Sequence, residues 1–186
     1  MQDFGYYSQI IANLEKVNES EEANIDAAAS LMADAIENDR LIHVYGGGGH
    51  TTLPVGEMVF RAGGLANIDP VMEPALSVFN QALKYLELER TVNFGASIVK
   101  YYQLKKDDVL IIFHNIGINP ATIDAAMEAK AAGAKIIAVS SSHWQDEMPK
   151  DHFIRHPSGK NLFDFADKPL RRSPNPLFVP TGRPLL

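Results

Sequence analysis

The sequence predicts one α/β domain built around a parallel β-sheet, and two observations carry this prediction. In residues 108–141 an apolar strand (108–114) precedes a helix (119–133), and a second apolar strand (135–141) follows. Two buried strands joined by a helix of this length form a right-handed βαβ unit. The 186 residues, 46% of them apolar, suffice for one domain with a sizeable core. We therefore expect a three-layer sandwich, with a parallel sheet of four to five strands flanked by helices.

Before the first strand, residues 5–40 are predicted to form two helices. Ser20 is expected to cap the second of them, because Glu21 and Glu22 follow it and suit the positive end of a helix dipole. Neither helix can bury its apolar face alone, so both must pack on other elements. The two faces consist of Tyr7, Ile10, Ile11, Leu14 and Val17, and of Ile25, Ala29, Met32 and Ile36.

The rest of the core is predicted from apolar runs and from the glycines and prolines that bound them. In the βαβ unit, Pro120 suits the first helical position and Gly133 lies just past the helix end. Pro70 weakens the strand that contains it. The remaining predicted elements are a strand at 41–46, a helix at 53–61 stopped by Gly63 and Gly64, a strand at 66–72, and helical structure at 76–103 with a break at 93–95.

Charge and composition exclude several classes of protein. Lys and Arg number 17 against 23 Asp and Glu, a net charge of -6, so nucleic acid is not an expected partner. There is no cysteine, which excludes disulfides, a thiolate nucleophile and Cys-based metal sites. The chain has no run of about 18 apolar residues and does not start with a signal-peptide pattern. We expect a cytoplasmic protein without a membrane partner.

Residues 168–186 differ chemically from the rest of the chain. They hold four basic residues, no acidic residue and five of the eleven prolines. Proline removes a backbone donor and is excluded from long helices and central strands. We therefore expect residues 1–167 to form the domain and residues 168–186 to form an irregular tail.

Three loops are expected at the carboxyl ends of the strands, where open parallel sheets bind their ligands. The first, residues 46–52 and here called the glycine loop, contains four consecutive glycines that let backbone N–H groups approach a ligand. A tight turn without a ligand is the alternative, and simple capping is the alternative for the serines of the third loop, 140–143. The candidate ligand-binding residues of these two loops are Gly47, Gly48, Gly49, Thr51, Thr52, Ser140 and Ser141.

A dinucleotide-binding function is a less favoured alternative. The glycine loop contains G-x-G, and Asp69 follows about 20 residues later, as in the fingerprint of nicotinamide-dependent oxidoreductases. The third glycine of that fingerprint is missing, because Thr51 or Thr52 occupies its position. Some forty predicted helical residues also precede the first strand.

Several stretches resemble the sugar isomerase (SIS) domain family, and most of all its UPF0309 branch, which is linked by name to phosphoheptose isomerases. They are VYGGGGHTTLPVGEMVFRAGGLANIDP, ALKYLELERTVNFGASIVKYYQLKKDDVLIIFHNIGIN, AMEAKAAGAKIIAVSSS and RHPSGKNLFDFAD. The resemblance covers nearly all of residues 1–167. It implies a flavodoxin-like parallel sheet, a site for a phosphorylated sugar or amino sugar at the strand ends, and a homodimer in which each chain completes its neighbour's site.

The resemblance assigns the second loop, residues 114–119, to phosphate binding. The family pattern there is S-N-S-G-x-N, whereas this chain has His114 and Ile116 at the serine positions. An isoleucine cannot donate a hydrogen bond to phosphate, so backbone amides and Thr122 are expected to serve instead. The residues carried over by position are Asn115, Gly117 and Asn119, with Thr122 on the helix that follows.

The resemblance also assigns the chemistry to carboxylates. Glu57 follows the glycine loop where related isomerases and lyases carry a proton-shuttling glutamate, and the pair Glu87 and Glu89 resembles a second acidic element. A metal-binding histidine of phosphoheptose isomerases is replaced by Leu53, so neither a metal nor another cofactor is expected. The candidate catalytic residues are Glu57, Glu87 and His50, and the candidate ligand residues near the end of the domain are His156, Ser158 and Lys160.

The expected function is therefore that of a sugar-phosphate isomerase or lyase, with a non-catalytic sugar-phosphate-binding or regulatory module as the alternative. His43, inside the first strand, is expected to be a hydrogen-bonded core histidine. After Asp167 the family continues with an apolar strand that this sequence lacks. Our hypothesis is that a frameshift or truncation replaced this fifth strand, which would leave an exposed sheet edge.

Overall fold

The fold was analysed in a computed structural model that describes residues 5–172, with side chains described for residues 5–167. Short 3-10 turns lie at Gly49–Thr51, Pro74–Leu76 and Leu162–Asp164. The helices are α1 (Tyr6–Glu37), α2 (Thr52–Met58), α3 (Ala82–Glu89), α4 (Phe94–Tyr101), α5 (Pro120–Ala131) and α6 (Ser142–Glu147). The strands are β1 (Ile42–Gly46), β2 (Ile68–Val71), β3 (Val109–Phe113), β4 (Lys135–Ser141) and β5 (Lys168–Arg172).

The five strands form one sheet in the order β2-β1-β3-β4-β5, and every neighbouring pair is parallel. The register pairs Gly46 of β1 with Phe113 of β3, and Phe113 with Val139 of β4. The carboxyl ends of these three strands therefore lie side by side. This register brings the three predicted loops to one edge of the sheet, called the carboxyl edge below.

Apolar side chains alternate between the two faces of the sheet and build a core on each. Tyr45, Leu110 and Ile136 belong to a buried cluster that also contains residues of α4 and α5. Val44, Ile111 and Ile137 belong to a second cluster with residues of α1 and α2. Helices thus cover both faces, and the predicted three-layer α/β architecture with a parallel sheet is confirmed. Among the described residues, no helix is long and apolar enough to cross a bilayer.

The prediction of two helices before the first strand is wrong, because α1 runs through residues 6–37 without interruption. Ser20 was expected to cap a second helix, yet it lies exposed inside α1. Neither glycine nor proline occurs within α1, so intrahelical hydrogen bonds satisfy the N–H groups that a cap would otherwise serve. Ala28 and Ala35 in the second half of α1 join the second core cluster, and Asn13 and Glu21 in its first half are also buried. Its first half leaves Tyr7 and Leu14 exposed, at 72% and 60%.

A break separates α3 from α4, but it lies at residues 90–93 rather than at the predicted 93–95, since α4 already begins at Phe94. Asn93, the N-cap of α4, adopts a left-handed backbone conformation with φ of 69°. A right-handed helix cannot continue through this conformation, which asparagine tolerates better than most residues. Gly95 then lies so close to the Ala121 carbonyl that a Cβ would overlap it. This contact lets α4 pack directly on α5.

The tail prediction is wrong for its first five residues, which form β5 at the edge of the sheet. β5 pairs with β4 from Lys168 opposite Ile137 to Arg172 opposite Ser141. An edge strand makes ladder hydrogen bonds on one side only, so it tolerates Pro169. A fifth strand is therefore present, contrary to the hypothesis that it was lost. The remainder of the predicted tail, residues 173–186, lies outside the described residues.

Candidate functional site

The glycine loop leaves β1 at the carboxyl edge and folds tightly on itself. A Cβ on Gly46 would overlap the Thr51 carbonyl, so glycine is required for the chain to close here. The Gly47 N–H donates to the Phe113 carbonyl over 3.4 Å, which fastens the loop to β3. Gly48 has an extended backbone that any residue could adopt. Glycine is needed here because neighbouring side chains pack closely on it.

The two threonine hydroxyls hold the shape of the loop. Thr51 Oγ1 donates to the Gly48 carbonyl over 2.9 Å and accepts the Gly48 N–H over 3.0 Å. Thr52 Oγ1 donates to the Gly49 carbonyl over 2.8 Å. Each hydroxyl has only one proton, so neither is free to donate to a phosphate while the loop keeps this shape. The expectation that these hydroxyls bind the ligand is therefore not supported by the geometry of the isolated chain.

Helix α3 lies against the glycine loop and presents two side chains to it. Tyr85 and Glu89 are four residues apart and share one helical face. A Cβ on Gly49 would come within 2.8 Å of the Tyr85 ring, and a Cβ on Gly48 within 2.8 Å of Glu89 Oε2. Glu87 points away from this face and is exposed. The carboxylate that reaches the loop is therefore Glu89 rather than the predicted Glu87.

Glu89 is partly buried, and its acidity is shifted accordingly. Burial raises its pKa from the ordinary 4.5 to about 7, although the Arg90 charge and a hydrogen bond from the Asn119 side chain act in the opposite direction. Burial and the nearby Glu89 charge raise the pKa of Tyr85 as well. A carboxyl group with a pKa near neutrality exists in both protonation states at pH 7, as an acid–base catalyst requires.

Asn119 connects the second loop to the glycine loop. As the N-cap of α5, its Oδ1 accepts the Thr122 N–H over 3.0 Å, and its Nδ2 donates to the Gly47 carbonyl over 3.2 Å. These two bonds fix the orientation of the amide. Its Nδ2 also lies 3.1 Å from Nε2 of His114, whose Nδ1 accepts the Gly117 N–H over 2.8 Å. His114 of the second loop and Glu89 of α3 thus lie beside the same glycine, Gly48.

Thr122 lies at the first turn of α5 with its side chain against Gly47. A Cβ on Gly47 would overlap Thr122 Oγ1, so the two backbones can approach only because residue 47 is glycine. Thr122 Oγ1 is buried and has no hydrogen-bond partner among the described residues. A buried hydroxyl without a partner is costly, and a ligand that reaches it would remove this cost.

The third loop is occupied by a structural hydrogen-bond network. The side-chain nitrogen of Gln145 donates to Ser140 Oγ over 2.9 Å and to the Ser141 carbonyl over 3.1 Å. Gly117 packs against the same two side chains, and a Cβ there would lie 2.6 Å from Ser140 Oγ. Gln145 is buried and was not predicted. It ties the second loop to the third.

His156 and Ser158 are joined to Asp124 by a chain of hydrogen bonds. The Ser158 N–H donates to Nδ1 of His156 over 3.1 Å, so Nδ1 carries no proton. Nε2 then donates to Asp124 Oδ1 over 3.0 Å, and Ser158 Oγ lies 2.7 Å from Nδ1. Burial raises the pKa of Asp124, against the effect of its bonds from Asn93 and His156. This series of hydrogen bonds anchors the loop of residues 156–160 to α5.

Several predicted site residues are exposed in the isolated chain. The Glu57 side chain is 72% exposed, and its Oε2 lies 3.6 Å from the guanidinium of Arg61, just beyond the end of α2. Lys160 extends over the ring of Phe165, with its Nζ 5.1 Å from the ring centroid. The other exposed candidates are His50, Glu87, Asn115 and Ser158. The residues that the structure brings together are Gly47, Gly48, Gly49, Asn119 and Thr122.

His43 and Asp69 form a separate cluster away from the carboxyl edge. His43 is buried in β1, and its Nδ1 lies 2.8 Å from Asp69 Oδ2, as expected for a hydrogen-bonded core histidine. Its Nε2 is 3.5 Å from Asp108 Oδ2. Asp69 is thus engaged near the start of β2, where it cannot serve a ribose at the strand ends. The described residues contain no group of three His, Asp or Glu side chains suited to a metal ion.

Comparison with known proteins gives relatives of one family. A UPF0309 protein of Thermoanaerobacter pseudethanolicus is 35% identical over 164 residues, which are 87% of this chain and 64% of that protein. A UPF0309 protein of Geobacillus thermodenitrificans is 32% identical over 162 residues, or 87% and 63%. This chain therefore spans just under two thirds of the length of these relatives.

Solved structures share the fold at low sequence identity. The phosphoheptose isomerase GmhA from Neisseria gonorrhoeae superposes with a TM-score of 0.67 at 16% identity, covering 92% of this chain and 84% of that one. A phosphoheptose isomerase from Francisella tularensis gives 0.67 at 18% identity, with 94% and 88% coverage. The model of the SIS domain matches residues 5–141. Together with the UPF0309 relatives, this match means that the chain belongs to the SIS domain family.

Proposed function

We propose that this protein binds a phosphorylated sugar at the carboxyl edge and transfers a proton between its carbon atoms, as an isomerase or a lyase. The observation that carries the proposal is Glu89, a partly buried carboxyl group with a pKa near 7 that lies against Gly48. Both reactions need a base that removes a proton from carbon and an acid that returns it. A single carboxyl group that is partly ionised and partly protonated at pH 7 can serve as both the base and the acid.

The family fold supports a sugar phosphate as the ligand. The two structural neighbours described above are phosphoheptose isomerases. In this chain the phosphate is proposed to lie at the start of α5, where the helix dipole favours an anion and the unpartnered Thr122 hydroxyl can donate to it. Asn115 in the adjoining loop and the loop of His156, Ser158 and Lys160 remain proposed contacts for the rest of the ligand.

We further propose that the protein acts as a homodimer whose chains complete each other's sites. The first half of α1 carries an exposed apolar stripe that includes Tyr7, Ile11 and Leu14. Contiguous exposed apolar surface of this kind marks protein interfaces. A second copy on this surface would also change the surroundings of side chains that are exposed in the single chain. We therefore keep the proposed catalytic role of Glu57, which is one of these exposed side chains.

Proton exchange tests the proposed reaction directly. The protein would be mixed in heavy water with a panel of aldose, ketose and amino-sugar phosphates, and deuterium at the carbon beside the carbonyl would be followed by proton NMR. We expect exchange with at least one compound and its loss, by at least 100-fold, in Glu89→Gln. Glu87→Gln is the matched control, because Glu87 lies on the same helix but faces solvent. Glu57→Gln in the same assay decides whether Glu57 takes part.

A non-catalytic sugar-phosphate-binding module is the second candidate. The observation in its favour is that the Thr51 and Thr52 hydroxyls are used within the glycine loop, while Ile116 replaces a serine in the second loop. A binding module would be stabilised against heat by a sugar phosphate without exchanging any carbon-bound proton. Binding without exchange would therefore replace the first proposal by the second.

A further inference from the structure

His114 has a defined protonation state that follows from its hydrogen bonds. The Gly117 backbone N–H lies 2.8 Å from Nδ1. A backbone amide can only donate, so Nδ1 must be the unprotonated acceptor. The ring is buried, and burial lowers the pKa of His114 to about 4. At pH 7 the ring is therefore neutral and carries its single proton on Nε2.

The Nε2–H group then needs an acceptor, and Asn119 cannot provide one. The amide nitrogen of Asn119 lies 3.1 Å from Nε2, but it is itself a donor. The amide cannot be turned around, because its oxygen already accepts the Thr122 N–H. The contact between the two nitrogens is therefore not a hydrogen bond.

The Glu89 carboxylate is an acceptor that packs against the same glycine as His114. His114 Nε2 and Glu89 Oε2 lie 3.1 Å and 2.8 Å from the same point, which is where a Cβ on Gly48 would stand. Both side-chain atoms therefore pack directly against the Gly48 backbone, where an added methyl group would clash with them. A ligand oxygen that accepts the Nε2–H bond of His114 would therefore lie close to the Glu89 carboxyl group.

We propose that His114 is a catalytic residue whose Nε2–H binds the reacting oxygen of the substrate, while Glu89 carries the proton between carbon atoms. This inference rests on the proposed function and assigns a role to the residue that replaces a family serine. A neutral imidazole is suited to this task, because it stabilises a developing negative charge on oxygen without first having to lose a proton.

The proposed step conserves atoms and electrons. In an isomerisation, the Glu89 carboxylate takes the proton from carbon 2 of the open-chain aldose phosphate. The C–H electron pair forms a double bond between carbons 1 and 2, and the carbonyl pair moves to oxygen 1, which accepts the Nε2–H hydrogen bond of His114. Glu89 then returns the proton to carbon 1, and the hydroxyl proton passes from oxygen 2 to oxygen 1. The product is the ketose phosphate, with no oxidant or reductant required.

The tautomer can be tested without any ligand. Long-range proton–nitrogen NMR of the uniformly labelled protein at pH 7 distinguishes the two neutral forms of histidine from the cation. One of the six histidines, identified because its signals are absent in His114→Gln, is expected in the neutral Nε2–H form. A cationic ring, or a proton on Nδ1, would overturn the inference whatever the substrate is.

The role at oxygen is tested with an analogue of the double-bonded intermediate. The probe is 5-phospho-D-arabinonohydroxamate, whose planar hydroxamate group mimics the two oxygens of the intermediate, and inorganic phosphate serves as the reference ligand. Calorimetry would compare the unchanged protein with His114→Phe, which has no donor, and His114→Gln, which keeps an N–H donor. His152→Gln controls for the loss of a histidine elsewhere.

We expect His114→Phe to weaken hydroxamate binding at least 10-fold, and His114→Gln and His152→Gln to change it by less than 3-fold. Phosphate binding should stay within 2-fold in all variants, and equal melting temperatures would exclude misfolding. Unchanged hydroxamate affinity in a folded His114→Phe overturns the role of His114 alone. If the unchanged protein binds neither ligand, the proposed function fails and this role fails with it, whereas the NMR result still reports on the tautomer.

Discussion

Glu87 and Glu89 are chemically identical side chains on one helix, and their different surroundings decide their chemistry. Glu89 lies over the glycine loop, one turn after Tyr85 on the same face of α3. Glu87 lies two residues before Glu89, which places it about 200° away around the helix axis, and its side chain faces water. Water stabilises the ionised form of Glu87, while the partly buried position of Glu89 disfavours it. The raised pKa is therefore a property of the helix face and of the loop beneath it.

The shifted pKa of Glu89 must appear in the pH dependence of stability. Between pH 4.5 and about 7 the folded state binds more protons at Glu89 than the unfolded state does, so this group makes the protein less stable as pH rises through that window. Each pKa unit corresponds to about 1.4 kcal/mol, and screening by water reduces the total to about 1 to 2 kcal/mol. Glu89→Gln should therefore gain stability relative to the unchanged protein at pH 8 but not at pH 4.5.

Urea unfolding at pH 4.5, 6 and 8 measures this difference. Comparison with the unchanged protein cancels the contributions of other titrating groups, such as Asp124 and Asp167. Glu87→Gln should show no such change between the pH values. A Glu89→Gln variant that loses stability equally at all three values would show that the carboxyl group is not shifted upward.

Gly48→Ala is expected to expel the Glu89 carboxylate from the site. Its backbone is extended, so alanine causes no backbone strain. The added methyl group would come within 2.8 Å of Glu89 Oε2, the end of a flexible side chain that can swing into water. The pKa of Glu89 should then fall towards 4.5, while the melting temperature changes by only a few degrees. Carbon-13 NMR of the carboxyl groups measures this titration, and a pKa that stays near 7 would contradict the proposed contact.

At the level of elements, the parts of the fold that depend on local patterns could be predicted from the sequence. The strands at 108–114 and 135–141 and the helix between them are continuous apolar and helical runs, and each occurs within a few residues of its predicted position. The number of N-terminal helices was wrong, since Ser20 is compatible both with a cap and with a helix interior. Sequence patterns also offered no means of telling that Glu89, rather than the predicted Glu87, lies against the glycine loop. The difference depends on how α3 lies on the glycine loop, which is a contact between distant parts of the chain.

The close packing of α4 on α5 depends on Gly95. A Cβ at this position would overlap the Ala121 carbonyl, and neither backbone can move without shifting a helix. Gly95→Ala should therefore destabilise the protein by about 2 to 3 kcal/mol. At about 2 to 4 °C per kcal/mol for a chain of this size, the melting temperature should fall by roughly 4 to 12 °C.

Gly56→Ala is the matched control for this substitution. Gly56 also lies within a helix, but a Cβ there meets open space. Alanine favours helix over glycine, so this variant should gain up to about 1 kcal/mol. Calorimetric melting of both variants tests the contact, and equal effects of the two would show that helix propensity rather than packing at Gly95 is being measured.

For the whole molecule, the order of the strands explains why one edge holds the candidate site. β1, β3 and β4 are adjacent, so the three loops that follow them meet although they are far apart in sequence. The sequence predicted that these loops share an edge because parallel strands all point the same way. It could not predict that the threonine hydroxyls would form hydrogen bonds within their own loop. Nor could it predict that the Gln145 side chain would donate hydrogen bonds to Ser140 and Ser141. Those hydrogen bonds depend on the relative positions of individual atoms, which sequence patterns do not specify.

The second property of the whole molecule is the long first helix, whose first half carries an exposed apolar face. α1 has 32 residues, about 48 Å at 1.5 Å per residue, and the members of the second core cluster begin only at Ala28. Tyr7, Ile11 and Leu14 recur at helical spacing and remain exposed. Exposing such a stripe to water is unfavourable by about 25 cal/mol for each Å² of apolar surface, and a second copy of the chain would remove that cost.

Leu14→Glu should therefore separate the proposed homodimer. A charge at the centre of an apolar interface would be buried without a partner, so association should weaken at least 100-fold, while each chain keeps its fold because Leu14 lies outside the described core clusters. Leu41→Glu is the control, since Leu41 is also exposed but lies just before β1. Sedimentation velocity across a range of concentrations measures the association. If both variants and the unchanged protein sediment as monomers, the stripe is not a dimer interface, and the site must work within one chain.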